Sequence, residues 1–355
     1  MIDMCNKVED RVPAIDMAKG IGILCVFIGH LTYWGTPVSK LVFSFHLSLF
    51  FFISGWLFSI GKYTNLQQIL SKVVKSFFVP YIFFAIMGCF VLPFREDITL
   101  RDLGSIINSI IYSGHPKVNG PLWFFVSLAG VELAYWFWHR SMPSLLRRND
   151  VLVGFSLAST FIVVYMLHCC PGMRQFVPLK LETLPIGLFF FSAGRLAWRK
   201  VDWLIQAPHS NSKSIMMSIL SFLGLLSCLP FAKPSCLQGA QIRDVMFLPM
   251  SFLGIVAVLM ASRSLACSSN GMWKWIMYIG RNSLLYFSLE FVTLPVLLWI
   301  GHGIDKRIEF YPLNHRIPLS YSLILLLLQF ALISIIASPV SKMLTNFQKV
   351  CTGKE

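Results

Sequence analysis

Residues 11–58 read RVPAIDMAKGIGILCVFIGHLTYWGTPVSKLVFSFHLSLFFFISGWLF. Two long apolar segments are joined by a short turn, and a helix needs roughly 20 apolar residues to cross the hydrocarbon core of a bilayer. The stretch therefore predicts an antiparallel pair of membrane-spanning helices. Asp16, Lys19 and His30 lie inside the first segment. Because a charged side chain within a spanning helix costs on the order of 2.5 kcal/mol or more, these three residues are candidates for function.

The spacing of the ionisable residues predicts a shared face. Lys19 and His30 are separated by three helical turns plus about 20°, so both side chains lie on one side of the first helix. Their axial separation is about 16 Å, which is about half the thickness of the hydrocarbon core. His46 enters the membrane early in the second segment. An antiparallel hairpin therefore places His46 and His30 at a similar depth.

The composition indicates an all-α, polytopic integral membrane protein. Of the 355 residues, 56% are hydrophobic and only 13% are charged. We predict a single transmembrane domain over 1–355, with a polar N-terminal tail, 1–12, and a C-terminal tail, 341–355. The apolar segments predict about ten transmembrane helices. They lie at approximately 14–34, 41–60, 74–93, 122–138, 151–170, 181–198, 214–231, 245–262, 276–300 and 318–339.

The excess of basic residues reflects the membrane rather than nucleic acid. The formal net charge is +14, from 30 Lys and Arg against 16 Asp and Glu. These basic residues are scattered over many short loops, whereas nucleic-acid binding requires a basic patch. The loops that follow even-numbered segments carry more of the Lys and Arg, which predicts that both termini are cytoplasmic. In that orientation Lys19 lies toward the cytoplasm, and His30 and His46 lie toward the outside.

Each candidate residue also has a structural interpretation. His30 has the side-chain type whose unperturbed pKa suits a general base, but a buried histidine can also simply bond a neighbouring helix. Asp16 and Lys19 are spaced to neutralise each other, or Lys19 binds an anionic cofactor that enters from the cytoplasm. Lys72 and Lys75 are either ordinary cytoplasmic flanks or part of a phosphate-binding vestibule.

Several further residues carry charge or allow close packing. Glu132 and Glu290 lie within apolar segments, where a carboxylate needs a partner or a proton. The pair Ser54-Gly55 predicts a close helix crossing. Charged residues at predicted outer ends are candidates to hold a polar acceptor such as a sugar: Arg174, Glu182, Arg243 and Asp244.

Four segments together resemble the acyltransferase-3 family of integral membrane acyltransferases. They are IDMAKGIGILCVFIGH at 15–30, FSFHLSLFFFISG at 43–55, GPLWFFVSL at 120–128 and IGRNSLLYFSLE at 279–290. The arrangement is most similar to the fucose 4-O-acetylase-like branch. The hallmark of the family is a basic residue, ten intervening residues and a histidine on the first helix, and Lys19 and His30 fit it.

The resemblance implies transfer of an acyl group, usually acetyl from cytoplasmic acetyl-CoA, to a hydroxyl of a cell-surface glycan. His30 then corresponds to the essential histidine and Lys19 to its basic partner. His46 matches the histidine of the second motif, and Trp123 matches the tryptophan of the family's tryptophan–phenylalanine pair. Where relatives usually carry a late histidine this chain has Glu290, a carboxylate that can orient a partner imidazole.

These observations predict an O-acetyltransferase of the inner (plasma) membrane. Candidate catalytic residues are His30, His46 and Glu290; candidate donor-binding residues are Lys19, Asp16, Lys72 and Lys75; candidate acceptor-binding residues are Trp123, Glu182, Arg243 and Asp244. We predict no bound metal and no nucleic-acid partner, while the oligomeric state is left open. His30 acts as general base or forms an acyl-imidazole. A polytopic transporter or flippase of a glycan or small anion is the alternative function, and a catalytically silent sensor or scaffold is a third.

Overall fold

The computed structural model describes residues 12–32, 34–94, 102–175, 177–206, 212–237, 240–305 and 319–352, and these ranges contain helices and no strand. The helices are α1 (Pro13–Leu31), α2 (Pro37–Leu57), α3 (Leu66–Val73), α4 (Val79–Phe90), α5 (Leu103–Ile111), α6 (Trp123–Ser141), α7 (Asn149–Cys169), α8 (Leu184–Gln206), α9 (Ser212–Cys228), α10 (Phe247–Leu265), α11 (Gly271–Arg281), α12 (Ser283–Ile304) and α13 (Leu319–Thr352). A π-helical turn, Val74–Phe78, joins α3 to α4.

Eight of the helical segments in the described ranges are long and apolar enough to span a membrane. The prediction of an all-α polytopic membrane protein is therefore confirmed. Each of the ten predicted segments contains a helix, but α9 has only 17 residues and α8 is not among the eight. The second half of α8 carries Arg195, Arg199 and Lys200, which lower its apolar character.

Proline and short polar side chains set the start of the first helices. Pro13 and Pro37 begin α1 and α2, where the missing N–H has no intrahelical partner in any case. The hydroxyl of Thr36 accepts a hydrogen bond from Ser39 N at 3.2 Å and so caps α2. The hairpin predicted from 11–58 is thus formed by a short capped turn.

Two glycines bring α2 and α8 into close contact. A Cβ atom at Gly55 would overlap the carbonyl oxygen of Phe191, and a Cβ atom at Gly194 would overlap that of Phe52. Each helix therefore presents a glycine to the backbone of the other, which is the small-residue packing expected between membrane helices. The close crossing predicted from Ser54-Gly55 is confirmed.

The same reciprocal arrangement joins α1 to α11. A Cβ atom at Gly20 would overlap the carbonyl oxygen of Ile276, while one at Gly280 would overlap that of Asp16. α1 also packs against α2, α10, α12 and α13, so it lies at the centre of the helical domain. In contrast, only 22% of the most apolar part of α7 is buried, which suits a peripheral helix facing lipid.

Three element boundaries differ from the sequence prediction. The predicted segment 276–300 is broken at Asn282, where α11 ends and α12 begins. The connection 94–121 contains α5, an additional short helix. α13 continues to Thr352 and so includes most of the predicted tail 341–355, while the predicted tail 1–12 lies almost wholly outside the described residues.

Candidate active site

The structure brings together His30 on α1 and Glu290 on α12. The Nδ1 atom of His30 lies 2.6 Å from the Oε1 atom of Glu290, although the two residues are 260 positions apart in the chain. The side chain of His30 is 24% exposed, whereas that of Glu290 is only 1% exposed. An N–H at Nδ1 that donates to the carboxylate leaves Nε2 as the basic nitrogen of the imidazole.

α13 fixes the backbone that carries Glu290. The amide of Gln329 donates to the carbonyl oxygen of Glu290 at 2.9 Å and to the hydroxyl of Thr293 at 3.2 Å. The Oε2 atom of Glu290 is buried and has no hydrogen-bond partner among the described residues. The carboxylate is thus held at a defined place with unused acceptor capacity.

Aromatic rings limit the orientation of His30. Its ring meets Phe291 edge-on, with centroids 5.1 Å apart, and Phe43 at 6.1 Å. Phe43 also contacts the ring of His46 at 5.1 Å, so the two histidines lie on either side of one phenylalanine. This arrangement agrees with the similar depth predicted for His30 and His46.

His46 has a different environment from His30. It is 1% exposed, and its Nδ1 donates to the carbonyl oxygen of Val42 at 2.6 Å. The ring of Phe43 therefore lies between His46 and the pair formed by His30 and Glu290.

Lys19 lines a half-open cavity of about 220 Å³. Most of the lining is aromatic or aliphatic and comes from α1, α2, the π-helical turn, α6 and α12, including Phe77, Phe124 and Phe287. Ser54 supplies one of the few polar groups. The cavity thus combines one ammonium group with mostly apolar walls, which is the composition expected of a site for a small apolar group attached to an anion.

The cavity follows α1 only part of the way toward His30. Its walls include Lys19 and Ile23, but His30 is not among the lining residues. One turn beyond Ile23, Phe27 is fully buried and stacks on Phe330 with centroids 4.5 Å apart. Lys19 and His30 therefore share a helix face, and the packed ring of Phe27 lies between their levels.

Lys72 is directed into the protein next to this cavity. Its ammonium forms an ion pair with the buried carboxylate of Glu132 on α6. It also lies 4.5 Å from the ring centroid of Phe77, which lines the cavity. Lys72 belongs to the turn before the π-helical segment, and such segments are frequent at functional sites.

Lys75 points to another part of the surface. It lines a surface groove between α3 and the end of α13 that also includes Ser71 and Cys351. Its backbone carbonyl accepts a hydrogen bond from the Gln348 amide at 3.0 Å. Lys72, just before the π-helical turn, and Lys75, within it, therefore face different spaces.

Asp16 is paired with a residue that the sequence did not indicate. Its Oδ2 atom accepts a hydrogen bond from Arg281 Nε at 3.0 Å, at the close crossing of α1 and α11. Asp16 is 8% exposed. The carboxylate of Asp16 thus forms an ion pair with Arg281, one residue before the break at Asn282.

The four candidate acceptor residues lie in different settings. Trp123 is 4% exposed and lies behind Phe124, with ring centroids 6.2 Å apart. Arg243 is exposed, whereas the carboxylate of Asp244 accepts a hydrogen bond from the backbone of Lys233.

Two contacts bring further loops to the His30 end of α1. A Cβ atom at Gly35, in the turn after α1, would lie 3.7 Å from Pro234, so the loop that carries Asp244 is close to that turn. A Cβ atom at Gly120, which begins the segment leading into α6, would lie 4.0 Å from Phe291. These loops therefore surround the end of α1 at which His30 and Glu290 meet.

Glu182 is buried in a strained segment that precedes α8. Its Oε1 atom pairs with the ammonium of Lys180 at 3.4 Å, and its buried Oε2 atom has no partner among the described residues. Leu179 and Lys180 adopt left-handed backbone angles, with φ of 50° and 58°. Each such residue costs on the order of 1–3 kcal/mol, and such strain is often found at binding sites.

Sequence reasoning did not identify Arg281, Gln329 or Phe291 as part of these arrangements, nor His115, whose Nε2 would lie 3.5 Å from a Cβ atom at Gly120. Arg281 lies inside the fourth quoted motif and Phe291 directly follows it, which was the available signal for them. Gln329 is an uncharged residue inside an apolar helix, and His115 lies in a connection, so neither has a distinctive pattern. Among the residues that the structure describes, no group of three His, Cys, Asp or Glu side chains could hold a metal ion.

Comparison with known proteins adds one finding. A family model described as "Acyltransferase domain", of the acyltransferase-3 type, matches residues 12–341. Neither a curated protein nor a solved structure matches the chain. The matched range includes every one of the candidate residues above.

Proposed function

We propose a specific reaction for this chain, which belongs to the acyltransferase-3 family and is a multi-pass membrane acyltransferase. It transfers an acetyl group from cytoplasmic acetyl-CoA to a hydroxyl of a cell-surface or lipid-linked glycan at the inner (plasma) membrane. The observation that supports this most is the 2.6 Å contact between His30 and Glu290, because it joins a partly exposed imidazole to a buried carboxylate.

This pair has the chemistry of a general base. Glu290 accepts the hydrogen bond from the Nδ1–H of His30, fixes the tautomer and stabilises the imidazolium that forms. Nε2 takes the proton of the acceptor hydroxyl as its oxygen attacks the thioester carbonyl. The carbon–sulfur bond then breaks, and the imidazolium returns the proton to the thiolate of CoA. An acyl-imidazole route uses the same nitrogen as nucleophile.

The cavity at Lys19 is the proposed entry for the acyl donor. Its volume of about 220 Å³ is below the roughly 300–1,000 Å³ typical of sites for drug-sized ligands. It therefore suits the acyl end of the donor and part of its arm, while the nucleotide stays outside. Lys19 and Lys72 attract the phosphates from the cavity side, and Lys75 and Asp16 are further donor-binding candidates.

Reaching His30 from this cavity requires the donor to pass the buried level of Val26 and Phe27 on α1. The axial offset of about 16 Å between Lys19 and His30 must be covered by the arm of the donor. We propose that the packing at this level opens when the donor binds. The acceptor approaches from the opposite end of α1, near His30. Candidate contacts for it are Trp123, Glu182, Arg243 and Asp244. His46 supports the part of α2 that faces His30.

The test is a reaction with purified protein in lipid vesicles, using labelled acetyl-CoA and a set of surface glycans. We expect label on the glycan and free CoA in equal amounts, and loss of both in His30→Ala. A transporter or flippase would change the location of the glycan without acetylating it. The proposal would be refuted by wild-type protein that binds no acyl-CoA, or by His30→Ala protein that retains wild-type transfer.

A further inference from the structure

The connection between α5 and α6 and the connection between α7 and α8 are distant in sequence, but they contact each other near the N-terminal end of α6. The backbone N–H of Leu179 donates to the carbonyl oxygen of Tyr112 at 2.8 Å. Gly114 has a φ of 63°, and a Cβ atom there would lie 3.0 Å from Leu179 Cα. This close contact brings His115, next to Gly114, to the segment that carries Lys180 and Glu182.

These connections are also tied to the body of α6. The hydroxyl of Thr183 is hydrogen-bonded to that of Ser127 on α6. The hydroxyl of Thr183 in addition donates to the carbonyl oxygen of Lys180 at 2.7 Å. The left-handed conformation of Lys180 is thereby held by contacts on both sides, so its ammonium has a defined direction toward Glu182.

Glu182 supplies an acceptor that protein groups do not use. The residue is 7% exposed, its Oε1 atom pairs with Lys180, and its Oε2 atom is buried without a hydrogen-bond partner in the described ranges. A buried carboxylate oxygen without a donor costs stability, because its hydration has been lost and not replaced. A ligand hydroxyl that donates to Oε2 restores that interaction.

His115 completes the arrangement as a neutral imidazole. Burial and, to a smaller extent, the positive charge of Lys180 together lower the pKa of His115 to about 4. At neutral pH its ring therefore offers one donor and one acceptor nitrogen. Because Lys180 and Glu182 carry opposite charges and His115 carries none, the three side chains together are electrically neutral.

His115, Lys180 and Glu182 lie close to His30, the proposed base, with Phe291 between them. A Cβ atom at Gly120 would be 3.5 Å from His115 Nε2 and 4.0 Å from Phe291 Cε1. Phe291 in turn meets the ring of His30 at 5.1 Å. A sugar unit bound at His115 is thus close enough to present a neighbouring hydroxyl at the His30 end of α1.

We propose that His115, Lys180 and Glu182 form a subsite for a neutral, hydroxyl-rich sugar unit of the acceptor. This inference rests on the proposed function, which it deepens by naming the charge class of the acceptor. Hydroxyl groups of the sugar donate to Glu182 and accept from Lys180, and His115 contacts a further hydroxyl. An anionic sugar is disfavoured because its carboxylate meets Glu182.

Opposite changes of charge test this subsite. Glu182→Gln leaves Lys180 without its carboxylate, so the ratio of kcat/KM for a hexuronide to that for the matching neutral hexoside should rise at least tenfold. Lys180→Gln leaves Glu182 alone, so the same ratio should fall. Asp150→Asn, in the exposed pair of Arg148 and Asp150, is the matched control and should leave the ratio unchanged.

A purely structural role predicts another pattern. If Glu182 only supports the fold, both variants lower kcat/KM for both sugars in proportion, the ratio stays constant, and the subsite is refuted. His115→Gln provides a third variant in which no charge changes, and we expect a higher KM for the neutral sugar with kcat nearly unchanged. An unchanged KM in that variant also contradicts the subsite.

Equilibrium binding separates the subsite from the catalytic proposal. Calorimetry with the neutral methyl hexosides and the matching hexuronides needs no acetyl-CoA and no turnover. We expect wild-type protein to bind a neutral hexoside at least tenfold more tightly than its hexuronide, and Glu182→Gln to remove that preference. Absence of the preference refutes the subsite even if transfer occurs, whereas a preference without transfer refutes only the catalytic proposal.

Discussion

Glu290 on α12 and Glu132 on α6 are both buried carboxylates inside apolar helices, but they face different side chains. Glu290 meets the imidazole of His30, the side-chain type that most often serves as a general acid or base. Glu132 meets the ammonium of Lys72, which also lies next to the ring of Phe77. The comparison shows that a buried carboxylate in this fold is paired with an imidazole at one site and with an ammonium at the other.

The surroundings of the two carboxylates support the same distinction. The two partners are about equally exposed, His30 at 24% and Lys72 at 22%, so the distinction lies in the neighbouring rings. The imidazole of His30 meets Phe43 and Phe291 edge-on, whereas the ammonium of Lys72 lies over the ring of Phe77 beside the Lys19 cavity.

The largest expected effect comes from removing the imidazole. His30→Ala should lower kcat for acyl transfer by about 10⁴-fold, because the base and its oriented partner act as one unit. The measurement is label transfer from acetyl-CoA by protein shown to be folded in detergent. His168→Ala, which removes an exposed histidine on α7, should leave kcat unchanged.

A smaller loss is expected when only the orienting carboxylate changes. Glu290→Gln should lower kcat by about 10²- to 10³-fold, because an amide neither fixes the reactive tautomer nor stabilises the imidazolium. Steady-state kinetics at saturating donor and acceptor measure it. Equal kcat in Glu290→Gln and wild type would show that Glu290 has no role in the reaction. Glu290 and Glu132 would then not differ in function.

Removing the cation of the cavity should change donor binding and not the chemical step. Lys19→Met should raise KM for acetyl-CoA by about 10- to 100-fold, as expected for one lost hydrogen bond to a charged group. KM for the acceptor should not change. Lys62→Met, which removes an exposed lysine from the short turn after α2, is the control, and an equal rise in both variants would argue against Lys19 as a donor contact.

The pair of Lys72 and Glu132 should matter more for stability than for kcat. Lys72→Met leaves a buried carboxylate alone and should lower the free energy of unfolding by about 3 kcal/mol. The double variant Lys72→Met, Glu132→Met should recover most of that loss, which a double-mutant cycle of thermal unfolding measures. If Glu132→Gln instead reduced kcat as strongly as Glu290→Gln, the two carboxylates would have similar roles.

A loss of stability of similar size should appear only in acid. Because the folded protein keeps His115 neutral down to about pH 4, whereas the unfolded chain binds a proton below about pH 6.5, the free energy of unfolding falls as the pH is lowered between these values. The loss should reach about 3 kcal/mol and be absent in His115→Gln. Thermal unfolding at pH 7 and at pH 4.5 checks this, and identical pH dependence in both proteins would contradict it.

Local patterns in the sequence predicted much of the fold. Helical periodicity placed Lys19 and His30 on one face, and the pair Ser54-Gly55 predicted a close crossing that the structure shows at Phe191. Apolar segment lengths predicted the spanning helices. These features depend on residues near one another in the chain, so a single sequence is sufficient to derive them.

Contacts between distant residues could not be derived in the same way. The sequence indicated that Glu290 and Glu132 need partners, but not which ones, because the spatial order of many helices is not encoded in any one segment. Asp16 had a neighbouring lysine at suitable helical spacing, yet its carboxylate pairs with Arg281 from α11. The break at Asn282 was missed because α11 and α12 follow each other without an intervening polar loop.

The four glycines at the crossings of α1 with α11 and of α2 with α8 set limits on how this gene can diverge. A side chain at Gly20, Gly280, Gly55 or Gly194 would meet main-chain atoms, which cannot rotate away as a flexible side chain can. A saturation library selected only for membrane abundance should therefore be depleted of every substitution at these four codons. Changes elsewhere in the chain can thus accumulate while the same two helix crossings are kept.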